Sequence, residues 1–352
     1  MRDTAHVDDA PGLLDRLAAG TVICAEGYLF ELERRGYLQA GAYVPEVVLE
    51  HPELVTGLHR EFVHAGSEVV QAFTYYGHRE KLRLIGKEDL LEPLNRGALE
   101  IAAAVARESG TLAAGNICNT NIYADDAESR RAVRAIFDEQ LAWIVEAGMD
   151  FVIGETFSFE AEAQLALAAI RDAGLASVIT LAVHRAPQTR DGLDPAEACA
   201  RLAAAGADVV GLNCIRGPRT MLPLIRTIRA AVDGHVAALP VPYRTTDAEP
   251  SFQSLTDPDC DCIPGGRPFP TALDPFLCNR YEIAEFARAA AALDVRYLGV
   301  CCGAGPHMIR SMAEALGRRP PASAYSPDMS RHAFLGTDAT LRAANRAWAE
   351  EL

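Results

Sequence analysis

The most regular pattern in the chain is a helical stretch that ends in Ala-Gly or a similar pair, followed by an acidic or small residue and then a short β-branched run. This unit occurs four times nearly in register, at 65–76, 147–157, 205–214 and 293–302. Glycine after a helix and an apolar run after the glycine are what a helix-to-strand connection requires. The pattern therefore predicts repeated helix–strand units.

Four further apolar runs fill the intervals, at 21–25, 111–117, 177–183 and 235–241. All eight runs are almost continuously apolar, as is typical of parallel strands that are covered on both faces. Helical periodicity lies between them, for example at 94–108, 133–148, 195–206 and 279–293. Eight consecutive β/α units predict a single α/β domain folded as a TIM-type (β/α)8 barrel.

An open, doubly wound sheet is the competing fold, but no G-x-G-x-x-G motif follows the first strand. Two segments lie outside the repeat: a Pro/Gly/Asp-rich loop after strand 7, at 244–275, and the tail at 320–352. We expect residues 1–319 to form the barrel and residues 320–352 to form a C-terminal extension. An amphipathic helix is predicted from Thr340 onwards.

Composition narrows the class of function. The formal net charge is −15, and an acidic surface does not attract nucleic acid or an anionic membrane, so small molecules are the expected partners. The first residues are polar, and no run approaches the roughly 18 apolar residues of a spanning helix, which predicts a cytoplasmic protein. Nine cysteines without small-domain spacing indicate reduced thiols rather than a disulfide framework.

The residues that end the strands are the candidate site, because the carboxyl ends of barrel strands converge on one face. They are Glu26, Thr74, Tyr75, Tyr76, Asn116, Asn119, Glu155, His184, Asn213, Cys214, Tyr243, Cys301 and Cys302. Three cysteines stand at two of these ends, and three ligands with one open position are typical of catalytic zinc. Cys214, Cys301 and Cys302 are therefore predicted to bind Zn2+, with Gly303 allowing the chain to turn.

A simpler interpretation treats each cysteine as a small core residue, because free cysteine is commonly buried. The position of Cys214, Cys301 and Cys302 together at strand ends favours the metal site over packing. Packing is the interpretation for Cys24, Cys118, Cys199 and Cys278. Cys260 and Cys262, in the long loop, are interpreted as incidental surface thiols, with a second metal site as the alternative.

Several stretches resemble the homocysteine S-methyltransferase family, and within it the betaine–homocysteine branch. The resemblance extends over nearly the whole chain, from about Leu13 into the tail. The matching stretches are EGYLFELERRGYLQAGAYVPEVVLEHPE, LHREFVHAGSEVVQAFTYY, AGADVVGLNC, VRYLGVCCGAGPHMIRSMAEAL and PPASAYSPDMS. GLNC and CCG are the most specific elements. The resemblance implies a barrel enzyme that holds zinc through Cys214, Cys301 and Cys302, and an assembly of two or four chains in which the long loop and the tail make subunit contacts.

The resemblance also assigns residues to the substrates. Glu155 matches the glutamate that receives the amino group of homocysteine, Tyr76 matches a donor-site tyrosine, and Tyr43 stands where the betaine branch has tryptophan. Glu26, Gly27, Thr74, Tyr75, Thr156 and Asn213 complete the expected substrate-binding set, with Asn213 orienting the zinc site. Glu155 and the three cysteines form the expected catalytic set.

Zinc stabilises a coordinated thiol as thiolate, and this thiolate would attack a methyl carbon on an onium donor. The leaving group departs as a neutral amine or thioether, so no general acid is needed. Aromatic side chains such as Tyr28, Tyr43, Tyr75, Tyr76 and Phe157 are candidates to hold the donor's positive charge.

Three positions depart from the family pattern. Ala25 replaces an aspartate, Ala72 a threonine and Thr156 a tyrosine. The expected chemistry is thus methyl transfer to homocysteine or a related thiol from a betaine-like or sulfonium donor. S-methylmethionine or S-adenosylmethionine as donor stays an alternative, as does a zinc- or thiol-binding protein without turnover.

Overall fold

The computed structural model describes residues 11–325, 327–344 and 347. Eight parallel strands form a closed barrel in the order of the chain, from β1 to β8. The strands are β1 Val22–Ala25, β2 Val69–Gln71, β3 Leu112–Cys118, β4 Phe151–Phe157, β5 Ala176–Leu181, β6 Val209–Asn213, β7 His235–Leu239 and β8 Tyr297–Val300. Each lies within or against a predicted run, and the predicted barrel is confirmed.

Helices alternate with the strands and cover the barrel. They are α1 Leu13–Ala19, α2 Tyr28–Arg34, α3 Val47–Glu50, α4 Pro52–Ala65, α5 Arg79–Ile85, α6 Leu91–Ser109, α7 Ala127–Glu146, α8 Glu160–Asp172, α9 Pro195–Ala204, α10 Pro218–Ala231, α11 Arg280–Ala292 and α12 Pro306–Ala315. Asp126, Asp194 and Asn279 begin α7, α9 and α11 by accepting hydrogen bonds from the free amides of the first turn.

The apolar core has two layers. The larger layer lies between the strands and the helices, and the smaller one fills the barrel interior with side chains such as Phe151, Leu239 and Tyr297. Nearly every strand residue is buried, which explains why the runs show no polar alternation. The filled interior leaves the carboxyl ends of the strands as the open end of the barrel.

The long loop after β7 lies over this open end. Phe252 and Phe269 from the loop pack against each other, with ring centroids 4.9 Å apart, and both contact Phe30 of α2. The loop therefore contributes to the same end of the barrel as the strand-end residues.

The tail begins with short 3-10 turns at Pro321–Ser323 and Met329–Arg331. The helix predicted from Thr340 onwards falls largely outside the described residues. No helix in the described part of the chain combines the length and the apolar character that crossing a membrane would need.

Candidate metal and substrate site

Three thiols meet at the carboxyl ends of β6 and β8. The sulfur atoms of Cys214, Cys301 and Cys302 all lie within 4.8 Å of one another, and those of Cys301 and Cys302 are 3.9 Å apart. Sulfur atoms that share one tetrahedral zinc at about 2.3 Å are roughly 3.8 Å apart. The three thiols therefore fit a zinc ion.

The end of β7 joins the two cysteine segments, because β7 lies between β6 and β8. The Cys214 amide donates to the carbonyl of Leu239 at 2.8 Å, and the Cys301 amide donates to that of Pro240 at 2.9 Å. Cys214 has a φ of 57°, and both Cys301 and Cys302 lie beyond the last residue of β8. The alternation of side chains along a strand no longer applies there, so adjacent cysteines can face one site.

Gly303 allows the turn after the cysteine pair. Its φ is 95°, and a Cβ at this position would overlap the hydroxyl of Tyr243. Arg34 of α2 donates to that hydroxyl at 3.0 Å and to the Gly303 carbonyl at 3.1 Å. The turn therefore depends on a backbone conformation that glycine adopts readily and on the two hydrogen bonds from Arg34.

Electrostatics within the cluster favour at least one thiolate. Hydrogen bonds from the Cys301 and Cys302 thiols hold the pKa of Cys214 well below its ordinary value. The same contacts with Cys214 raise the pKa of Cys301 and of Cys302, and burial raises both further. A cluster of three thiols, one of which ionises more readily than an ordinary cysteine, is a donor set suited to a soft divalent cation.

Glu155, at the end of β4, has both carboxylate oxygens fully engaged. Oε1 accepts from Gln71 and from Asn116, each at 2.7 Å, and Oε2 accepts from Asn213 at 2.8 Å and from Thr156 at 3.2 Å. Burial raises the pKa of Glu155 to about 7 despite these donors. Three donors from other strand ends and one from the neighbouring Thr156 fix this carboxylate in place.

Asn213 connects Glu155 to the thiols. Its side-chain nitrogen lies 3.9 Å from the sulfur of Cys301, and its side-chain oxygen accepts from the Thr156 amide at 2.9 Å. Thr156 has a φ of 61°, so it sits in a backbone conformation that this hydrogen bond helps to hold.

Glu26, directly after β1, is a second buried carboxylate at the site. Neither of its oxygens has a hydrogen-bond partner among the described residues. Burial raises the pKa of Glu26 well above its ordinary value, and the neighbouring Glu155 raises it further. A Cβ on Gly27 would overlap the carbonyl of Ala304, so glycine lets the chain after Glu26 pass close to the turn that holds the cysteine pair.

The three thiols and the two carboxylates line one small cavity of about 20 Å³. A larger cavity of about 390 Å³ adjoins it and shares Tyr75, Thr156, Cys214 and Cys302 with it. The small cavity has room for little more than one ion or water molecule, whereas the larger one can hold an organic ligand.

Aromatic and polar residues both line the larger cavity. The aromatic lining residues are Phe30, Tyr43, Tyr75, Tyr76, Tyr123, Phe159, Phe252 and Phe269. The polar lining includes Asn119, Ser158, His184, Arg190 and Gln253, and His184 contacts Ser158 and Gln253 at 3.1 Å each. A ligand in this cavity therefore meets aromatic faces and hydrogen-bonding groups together.

Comparison with known proteins identifies the family to which this sequence is similar. The family model described as homocysteine S-methyltransferase matches residues 22–316.

The chain belongs to the homocysteine S-methyltransferase family.

Betaine–homocysteine S-methyltransferase 1 of Xenopus tropicalis is 36% identical over 338 residues, which cover 93% of this chain and 80% of the relative. S-methylmethionine–homocysteine S-methyltransferase of Pongo abelii is 34% identical over 334 residues, covering 92% and 87%. The family resemblance predicted from the sequence, including the betaine branch, is confirmed.

A solved structure shares the fold. The homocysteine methyltransferase MmuM of Escherichia coli, in its metallated form, matches with a TM-score of 0.65 at 17% identity, covering 84% of this chain and 96% of that one. At this identity the match supports the barrel alone.

Most of the predicted substrate residues of this family member lie at the cavities. Glu26, Tyr43, Tyr75, Tyr76, Glu155 and Thr156 line one or both of them. Thr74 lines neither cavity within the described chain, and its hydroxyl donates to the carbonyl of Asn116 at 2.8 Å. Gly27 and Asn213 line neither cavity. Gly27 lets the chain after Glu26 pass close to Ala304, and Asn213 donates a hydrogen bond to Glu155.

A lysine side chain packs against the tyrosine pair, which the sequence does not indicate. The rings of Tyr75 and Tyr76 are 4.3 Å apart, and the ammonium of Lys81 lies 3.9 Å from the centroid of the Tyr76 ring. Lys81 makes no ion pair in the part of the chain described, and burial lowers its pKa. A cation of the protein itself therefore already occupies a face of Tyr76.

Several members of the site are not among the strand-end candidates of the sequence. Gln71 donates to Glu155, and Phe252, Gln253 and Phe269 reach the larger cavity from the long loop. Gln71 had a usable signal as the last residue of β2. No signal in the sequence indicates how the loop folds back. Phe157 was expected near the donor but packs against Phe137 instead.

The other cysteines divide into two groups. Cys24, Cys118, Cys199 and Cys278 are buried and free, as expected for packing residues. Cys260 and Cys262 form a disulfide, so the expectation of reduced thiols is wrong for this pair. Two sulfurs bonded to each other are not thiolate ligands, and the alternative of a second metal site there loses its basis.

Proposed function

We propose that the chain transfers a methyl group from an onium donor to the thiolate of homocysteine or a related thiol, at a zinc ion held by Cys214, Cys301 and Cys302. The convergence of three thiols beside an organic-ligand cavity carries this proposal. Zinc bound there would hold the substrate sulfur as thiolate at neutral pH.

The two carboxylates support an amino thiol as acceptor. Glu155 is fixed by four donors, and Glu26 lies beside it without a partner in the described chain. Two adjacent buried carboxylates without a cation are costly, and the ammonium of homocysteine would relieve this cost. Glu26 would thereby supply the charge that the family has at the position of Ala25, although it stands one residue later.

The aromatic lining of the larger cavity supports an onium donor. Tyr43 and Tyr75 line the same cavity as Cys302, and a methylated cation is attracted to aromatic faces. The substrate sulfur would form a bond to the methyl carbon as the bond from that carbon to nitrogen or sulfur breaks. The leaving atom keeps the electron pair and departs neutral, so no proton needs to be supplied.

A sulfonium donor is the second candidate, and one observation favours it. Thr156 stands where the resemblance indicates a tyrosine, and its hydroxyl is directed to Glu155 and Asn213 rather than left for a donor. The cavity of about 390 Å³ is within the range that accommodates ligands larger than a compact trimethylammonium acid. S-methylmethionine or S-adenosylmethionine would use this space.

The test combines metal analysis, calorimetry and mass spectrometry on the purified chain. We expect stoichiometric zinc, binding of homocysteine, and methionine formation with at least one donor from a panel of betaines, S-methylmethionine and S-adenosylmethionine. Zinc with homocysteine binding but no methylated thiol would indicate the binding protein without turnover. Zinc without homocysteine binding would indicate a different thiol, as the changes at Ala25, Ala72 and Thr156 suggest.

Assembly and location complete the proposal. The tail exposes Tyr325, Met329 and Leu335, and apolar side chains of this size on one segment favour contacts with a second subunit. We propose a cytoplasmic homodimer or homotetramer in which the 320–352 extension makes subunit contacts, with no nucleic acid or membrane partner. Light scattering of the full chain and of a chain ending at residue 319 tests the assembly, since only the full chain should be oligomeric.

A further inference from the structure

The lining of the larger cavity contains one fixed positive charge. Among its lining residues in the described chain, Arg190 alone is a lysine or an arginine. His184 is the other basic residue, but burial and the charge of Arg190 lower its pKa, so its ring is neutral at pH 7. A negatively charged group of a ligand in this cavity would therefore be attracted to Arg190.

The protein itself does not neutralise the guanidinium of Arg190. This group forms no ion pair and no hydrogen bond with the described residues. The adjacent carboxylate of Asp191 accepts instead from two amides at the start of α8, at 3.1 and 3.0 Å. The carboxylate of Glu162, which lines the same cavity, accepts from the amide and the hydroxyl of Thr120 at 2.8 and 2.6 Å. The N–H donors of Arg190 are therefore available to a ligand.

The backbone of Arg190 is held in place although its side chain is exposed. Its amide donates to the carbonyl of Ser158 at 2.7 Å, and the amide of Thr189 donates to the carbonyl of Leu193 at 2.9 Å. The hydrogen bonds of Asp191 attach the same turn to α8. The Arg190 side chain therefore extends from a fixed turn to the solvent-accessible part of the cavity.

Arg190 is separated from the residues that would hold the reacting atoms. Tyr75, Cys214 and Cys302 line both the larger cavity and the small cavity, whereas Arg190 lines only the larger one. A donor with its methyl group directed to the thiols would therefore place its opposite end in the part of the larger cavity that Arg190 lines.

Other cationic side chains near the cavity are weaker candidates for an anion. Arg216 is buried, and its guanidinium already donates to the carbonyls of residues 183–185. Lys81 lies over the ring of Tyr76 and is not part of the lining within the described chain. Arg190 is thus the cation with both access to the cavity and unused donors.

We propose that Arg190 binds a carboxylate at the far end of the methyl donor, and that this contact makes the site selective for zwitterionic onium compounds. The inference rests on the proposed methyl transfer. Two parallel N–H groups of a guanidinium match the two oxygens of a carboxylate. With its onium centre on the aromatic lining and its carboxylate on Arg190, the donor would be held at both ends and its methyl group oriented towards the substrate sulfur.

A matched pair of sulfonium donors tests this selectivity. A methylsulfonium acid and its primary amide have nearly the same shape and the same reacting centre, but only the acid carries a negative charge. The wild type should use the acid more efficiently. Arg190→Met should lower kcat/KM for the acid about 10-fold and change that for the amide less than about 2-fold. Equal losses for the two donors, or no loss for the acid, would overturn the inference.

Arg185→Met is the matched control variant. It removes an exposed arginine from the same connection between β5 and α9, but Arg185 is not part of the cavity lining in the described chain. Its kcat/KM values for both donors should equal those of the wild type. Arg190→Lys keeps the charge without the paired N–H groups, so its kcat/KM for the acid should lie between those of the wild type and Arg190→Met.

A crystal structure gives a measurement that does not depend on turnover. The demethylated thioether acid, bound to the protein, should place its carboxylate about 2.7–2.9 Å from a guanidinium nitrogen of Arg190. A carboxylate bound more than about 4 Å from this group contradicts the inference.

These results separate the inference from the proposed function. A wild type that methylates the thiol from both donors without preferring the acid refutes only the role of Arg190. A wild type that methylates no thiol from either donor refutes the proposed function, and with it the role of Arg190 in donor selection. Circular dichroism of the variants checks that any loss occurs in a folded barrel.

Discussion

The hydroxyl of Tyr243 occupies the space that a side chain on Gly303 would need. Tyr243 is fully buried in the segment after β7, and Gly303 directly follows the cysteine pair after β8. The position of the predicted metal ligands therefore depends on a contact between two strand ends.

Gly303→Ala tests this contact. We expect a loss of about 1–3 kcal/mol in the free energy of unfolding, because alanine is strained at a φ of 95° and overlaps Tyr243. Denaturant unfolding and zinc affinity are the measurements. In a double-mutant cycle, Tyr243→Phe should recover part of the loss, since it removes the overlapping hydroxyl. Strictly additive effects would show that the contact does not matter.

Cys302→Ala should remove the metal and the activity. Zinc content should fall from about one per chain to near zero, and methyl transfer should fall by roughly 100-fold or more, because two thiols bind zinc far less tightly than three. Cys199→Ala is the matched control: its thiol is free but buried against the carbonyl of Gly211, away from the cluster. A variant at Cys302 that kept both zinc and turnover would argue against the proposed site.

Glu155→Gln should discriminate between acceptors. We expect kcat/KM for homocysteine to fall by about 10–100-fold, because the substrate ammonium loses the nearby negative charge of Glu155, an attraction of roughly 1.5–3 kcal/mol. The ω-mercapto acid of the same length without the amino group serves as the comparison substrate. Its kcat/KM should be nearly unchanged, and an equal loss for both thiols would mean that the charge of Glu155 does not attract the ammonium.

Lys81→Met should tighten donor binding. The Lys81 ammonium lies over the Tyr76 ring and would both compete with an onium group and repel it. Removing it should lower the KM for the donor about 5-fold, as expected for roughly 1 kcal/mol, and leave the KM for the thiol unchanged. Lys87→Met, which removes an exposed lysine paired with Glu46, should have no effect on either KM. A higher donor KM in Lys81→Met would show that Lys81 assists binding instead.

His59→Phe should make the fold less sensitive to acid. His59 is buried against Tyr28, and burial lowers its pKa to about 3. An unfolded chain takes up this proton near pH 6.5, so the free energy of unfolding decreases as the pH falls from about 6.5 towards 3.

At pH 4.5, His59 should lower the free energy of unfolding by about 2–3 kcal/mol relative to pH 7. Urea unfolding at the two pH values measures it, with His64→Phe, at an exposed position of the same helix, as control. The loss should be smaller by that amount in His59→Phe and unchanged in His64→Phe.

The sequence by itself determined the barrel and the three metal candidates. Strand and helix periodicities are local properties, and eight alternating units have few ways to bury their apolar faces. Cys214 and the Cys301–Cys302 pair could be assigned together because strand ends of a parallel barrel converge by rule, whatever the loops do. Glu155 and Tyr43 were found by the same rule and by resemblance.

Only the tertiary structure decided how these residues are used. Glu26 and Glu155 are both strand-end carboxylates in the sequence. Three donors from other strands and one from Thr156 satisfy Glu155, whereas Glu26 has no hydrogen-bond partner among the described residues. The placement of Phe252 and Phe269, of Lys81 over Tyr76, and of the Cys260–Cys262 disulfide likewise depends on loop paths. Periodicity does not encode such contacts, because they form between irregular segments only after the barrel has closed.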